Sequence, residues 1–145
     1  MTFDFRSVGD TPMEIGKISG FRFWRYRIAG QIQLISWVSN QYWTPGTFVR
    51  SDQLPDFYEH GIHAFKTYED LEFAVRNEPD SLVYRAQMTD CDGVVFGTVD
   101  LWGVVHEHKK GYRAEFAQPT SFSTTHGDHA HLALSELRQI YLTNT

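Results

Sequence analysis

Apolar and polar positions alternate most strictly in GTVDLWGVVHEHKKGYRAEFAQP, residues 97–119. Val99, Leu101, Gly103 and Val105 fall on one face of a strand, and Thr98, Asp100, Trp102, Val104 and His106 on the other. The His108-Lys109-Lys110-Gly111 break fits a type I turn with Gly111 in the left-handed region, which sets Glu107 near Arg113. A register one residue tighter places Val105 by Ala114 and Gly103 by Phe116, but asks the two lysines to form a primed turn. The sequence leaves both registers open. Both put His106, Arg113 and Glu115 at the distal part of the hairpin.

Other segments carry weaker patterns. Residues 1–19 read as an irregular lead-in with room for one short strand. Phe21 to Ile28 alternates aromatic with basic, Gly30 breaks it, and Gln31 to Val38 places Ile32, Leu34 and Ser36 on one side, which predicts a hairpin. Pro45-Gly46 is a turn dipeptide, and Phe48-Val49 begins another short strand. Ser51 to His60 reads as a loop, and residues 61–65 as a short apolar run. Thr67 caps a helix over 68–77 that buries Leu71, the less well phased Phe73, Ala74 and Val75 and ends at Glu78-Pro79-Asp80. Residues 81–88 and 93–108 are β-rich around a turn at 89–93, and 112–117 and 121–123 continue the meander. Asp128 caps a helix to about Leu142 whose inner stripe is Ala130, Ala133, Leu134, Leu137, Ile140 and Tyr141. The order predicts a single α+β domain over 1–145: a curled, mostly antiparallel sheet with one short internal helix and a C-terminal helix.

Composition sharpens the class. With 145 residues the chain has single-domain length, and eleven Phe, seven Tyr and four Trp supply a large apolar payload. A net charge of −5 without a Lys/Arg cluster argues against general nucleic-acid binding; Arg22, Arg25 and Arg27, interleaved with aromatics, read as a half-exposed strand. Cys91 is the single cysteine, so an internal disulfide and a Cys-rich zinc site are excluded. No apolar run is long enough to span a bilayer, and the first residues lack the pattern of a signal peptide. The expected compartment is the cytoplasm, with no membrane partner.

An ordered set of segments carries a resemblance. GIHAF (61–65), VFGTVDLWGVVHEH (95–108) and GYRAEFAQP (111–119), with FRFWR (21–25) and WTPG (43–46), resemble a recurring family of small bacterial and phage proteins of uncharacterised function. The resemblance covers most of residues 20–120 and supports the fold, but implies no activity. Members often carry paired cysteines before the GI-aromatic segment; here Tyr58-Glu59-His60 stands there, so a site built on them is not carried over.

Candidate chemistry is sparse. Cys91 lies between Asp90 and Asp92, which raise a thiol pKa, and there is no G-x-S-x-G elbow, P-loop or dinucleotide fingerprint. Among the seven histidines, His106-x-His108 projects both rings to one strand face. His129-x-His131 diverges on a helix, and Asp128 already serves as its cap. Trp24, Trp37, Trp43 and Trp102 cannot all be central in so small a core; burial favours Trp102 beneath the C-terminal helix, with an exposed groove or protein contact as the alternative.

The leading expectation is a non-catalytic protein without a cofactor. It binds a protein partner or small ligand, with a homodimer as one form, through an aromatic- and Arg-lined sheet surface of Trp24, Arg25, Trp43, Trp102 and Arg113. The alternative is a metal-dependent hydrolase holding a transition metal such as zinc on His106 and His108 with Glu115 or His63. A third reading is a phage or mobile-element inhibitor of a host factor.

Overall fold

The computed structural model describes residues 7–13, 16–36, 41–51, 61–76 and 91–142. The chain opens with β1 (Ser7–Met13), β2 (Ile18–Ala29), β3 (Gln31–Ile35), β4 (Tyr42–Trp43), β5 (Val49–Arg50) and β6 (Ile62–Phe65). Helix α1 (Tyr68–Arg76) follows, then β7 (Gly93–His108), β8 (Gly111–Gly127) and α2 (Ala130–Leu137), which runs into a π-helical turn at Arg138–Leu142. The expected strand over 81–88, the end of the first helix at 78–80, most of the 51–60 loop, Trp37 and His60 lie outside the described residues.

All strand pairs are antiparallel, in the order β1-β7-β8-β6-β2-β3-β4, with β5 on β8. The pairing returns on itself. One edge of β2 lies along β7, from Ile18 opposite Leu101 to Tyr26 opposite Gly93. Its other edge meets β6 at Phe21–Phe65 and β3 from Arg25 onward. Because β6 also pairs with β8, and β8 with β7, four strands form a closed ring. Three register shifts in the β7–β8 ladder bend these long strands, as bulges do, and let the ring close.

Two apolar clusters occupy opposite faces of the sheet. Trp24, Tyr26, Ile32, Leu34, Trp43, Val95, Val99, Leu101 and Phe122 pack with Ala133, Leu137 and Tyr141 from the C-terminal helix. Phe23, Phe65, Val94 and Phe96 pack with Leu71 and Val75 of α1. Thus β2 is buried on both faces, with Trp24 and Tyr26 toward α2 and Phe23 toward α1, and its aromatics cannot show clean alternation. A fully buried side chain such as Leu71 contributes about 2 kcal/mol. Thr67 Oγ1 accepts from Asp70 N–H at 3.0 Å, the expected cap of α1. Gly46 takes φ 75 after Pro45, as the expected turn requires.

Four local expectations are corrected, and the hairpin register, which the sequence left open, is resolved. Phe73 of α1 is exposed rather than buried. The hairpin tip takes the tighter register, with Val105 opposite Ala114, His106 opposite Arg113 and Glu107 opposite Tyr112. Its left-handed glycine is Gly103 (φ 81), not Gly111; the extra residue there puts Trp102, rather than Gly103, opposite Phe116, and neither lysine takes positive φ. Glu107 therefore pairs with Lys66 at 2.6 Å rather than with Arg113. At the last helix the cap is His129, in the left-handed region at φ 52, and no side chain caps it. Asp128 instead bonds through its backbone: its N–H donates to Asp92 O at 2.9 Å and its carbonyl accepts from the Tyr26 hydroxyl at 2.8 Å. The chain must turn sharply from a fixed β8 end into α2, and that turn falls on residue 129.

Candidate binding site

The register that places Trp102 opposite Phe116 stacks their rings, with centroids 5.7 Å apart and 19° between planes. Phe48, delivered by the Pro45-Gly46 turn just before β5, meets both edge-on, at 5.6 Å from Trp102 and 5.5 Å from Phe116. Lys17, one residue before β2, holds its ammonium 4.9 Å from the Trp102 centroid. Each ring pair adds about 1 kcal/mol beyond burial and the exposed cation–π contact a little less. The cluster stays at the surface: Phe48 is 44% exposed and neighbouring Val104 47%. Trp102 does not lie beneath the C-terminal helix, which packs on β8 and β3 against Trp24 and Leu34. The helix covers the face that carries Leu101, so Trp102, on the alternate position, is left to the three-ring cluster.

Of the expected surface set, only Trp102 belongs to an exposed cluster. Trp24 and Trp43 are interior, 5.6 Å apart and perpendicular. Trp43 Nε1 donates to Ser36 Oγ at 2.7 Å, and Arg25, also buried, donates through Nε and Nη2 to Ser36 O at 3.1 and 3.0 Å. These three side chains anchor β3 to β2 and do not line a surface.

Arg113, half-buried, donates from Nε to Nε2 of the buried His108 at 2.7 Å. His63 stands opposite Arg113 and near His108. Burial chiefly, then the charges of Arg22, Arg113 and His108, push its pKa down to about 3, so the ring is neutral. His63, the optional third ligand of the metal reading, does come near His108, while His106 stands opposite Arg113 in the hairpin. However, Arg113 occupies a His108 nitrogen, two guanidinium groups bear on the place, and Glu115 accepts from Val104 N–H at 3.2 Å. The field there suits an anion better than a cation. Among the described residues no three His, Cys, Asp or Glu side chains gather to hold a metal.

Arg22 is the residue the sequence hid. It shares the inward face of β2 with Trp24, donates from Nη1 to His63 O at 2.5 Å, and lies 5.0 Å from the Trp43 ring and 5.9 Å from the Trp24 ring. The residue keeps some exposed surface while its Nε is sealed from solvent, and burial lowers its pKa to about 10. Phe48 and Phe116 likewise lie outside the expected set; the register that sets Phe116 opposite Trp102 is the signal that identifies it.

No family model, curated protein or solved structure matches the chain. No helix among the described residues is long and apolar enough to cross a membrane.

Proposed function

We propose that this protein is a non-catalytic recognition module that docks a protein partner on the Phe48–Trp102–Phe116 surface. The observation that supports it most is that three large rings are held against one another on the outer face of the hairpin instead of entering either core. Clustered aromatics of this kind anchor interfaces. Lys17 stands over Trp102, and the exposed Arg50 is opposite Phe116 on β5, so the surface is flanked by cations. The partner it fits presents an apolar or aromatic anchor flanked by carboxylates.

Immobilised peptides carrying a central Trp or Leu between Asp/Glu or between Lys residues test this reading. The acid-flanked set is expected to bind, and Phe48→Ser with Trp102→Ser to abolish binding while the folded state persists. Equal binding by both peptide sets, or binding that survives the double substitution, overturns it. Sedimentation of the same variants separates a second copy of the chain from a foreign partner.

A further inference from the structure

Arg22 and Trp24 leave two buried hydrogen-bond donors, Nε of the guanidinium and Nε1 of the indole, without an acceptor on the same face of β2. Buried donors are nearly always paired, and an unmet one costs about 1–3 kcal/mol. Two together, one carrying a full positive charge, define what would complete them: an acceptor with more than one oxygen and a negative charge.

We infer that Arg22 and Trp24 form a binding site for a small oxyanion, the carboxylate or phosphate group of a low-molecular-weight ligand. Nη1 of Arg22 is committed to His63 O, which fixes the guanidinium plane and turns the Nε edge away from that bond. The Nε side of a guanidinium is a fork that matches two oxygens of one oxyanion. The Trp43 ring supports the guanidinium 5.0 Å away, so it is held before a ligand arrives. Among the described residues no carboxylate forms an ion pair with Arg22. Arg113 adds a second positive charge in the neighbourhood, and His63, neutral by burial, adds none to neutralise. This site is independent of the three-ring surface, because Trp24 and Trp43 lie in the core.

The test titrates the whole protein with sodium acetate and, separately, with sodium phosphate, against sodium chloride at equal ionic strength. Thermal midpoint and binding heat are followed. A saturable rise with an oxyanion, absent with chloride, is expected; acetate acting first assigns a carboxylate ligand and phosphate acting first a phosphorylated one. Trp24→Phe keeps an aromatic side chain but removes the indole N–H together with the pyrrole part of the ring; measured against the variant's own ligand-free midpoint, the response should weaken about tenfold. Arg22→Lys keeps the charge and removes the fork, with a similar loss. If Arg22→Lys does not fold, Trp24→Phe decides alone. No saturable response to either oxyanion, or one that Trp24→Phe leaves unchanged, overturns the site.

Discussion

The hydroxyl of Tyr141 donates to the carbonyl of Trp43 at 2.9 Å, and the same oxygen accepts from Leu34 N–H at 2.9 Å. One side chain from the π-helical turn thus satisfies the backbone of both β3 and β4 inside the main core. The wider turn brings Tyr141 inward behind Leu137. Tyr141→Phe retains the ring and strands both groups, so it should destabilise the fold by about 1–3 kcal/mol. Urea denaturation of the two proteins measures this, and an unchanged midpoint would refute the bridge.

His63 predicts an acid limb of stability. Its folded pKa, about 3, lies below the ordinary histidine value, so between pH ~6.5 and ~3 the unfolded chain binds a proton that the folded chain does not. Stability therefore rises with pH across that window and is lost on acidification, at no more than about 1.4 kcal/mol per pH unit. His63→Gln should flatten the curve of unfolding free energy against pH between 4 and 6. An unaltered slope would assign the acid limb to other groups.

The two tryptophan environments should separate cleanly in mutagenesis. Trp24→Ala removes a fully buried ring and should cost about 3–5 kcal/mol, whereas Trp102→Ala on the outer face should cost under about 2 kcal/mol. Equal losses in chemical denaturation would place Trp102 in a core.

Gly97 stands opposite Phe122, where a Cβ would fall onto the backbone oxygen of Ser121. Because backbone cannot give way as a long side chain can, Gly97→Ala should destabilise by several kcal/mol, on the order of 3. Gly16, with nothing within 4 Å of an added Cβ, should accept Ala with little change. Circular dichroism melts of both variants make the comparison, and similar melting for the two would contradict the packing at Gly97.

Much of this architecture was legible where one face of a strand is buried and local chemistry is simple. The Val99, Leu101, Val105 stripe, the Thr67 cap and the Pro45-Gly46 turn all carry their own rule. Strand β2 was harder because both its faces are buried: Arg22 and Arg27 are half-exposed as the pattern implies, but Arg25 between the same aromatics is buried and ties down Ser36. The hairpin register turned on Gly103, while Gly111 beside two lysines drew the eye to the tip. Asp128 had the chemistry of a cap, but strand geometry claimed its backbone first. Alternation fixes the face of Trp102 but not its cover, since it says which way a ring points and not what lies there; the C-terminal helix covers the other face.

The closed ring carries a consequence for the order of folding. Strands β7 and β8 are joined by only two residues and can zip from the tip outward at little entropic cost. The ladder between β2 and β7 instead joins segments separated by about half the chain, and the Phe21–Phe65 link has nothing to close upon until both exist. Nucleation in the hairpin, with β2 arriving late as the stave that completes the ring, follows from that geometry. Substitutions at the Val105–Ala114 pair would then slow folding, while those at Phe21 would hasten unfolding.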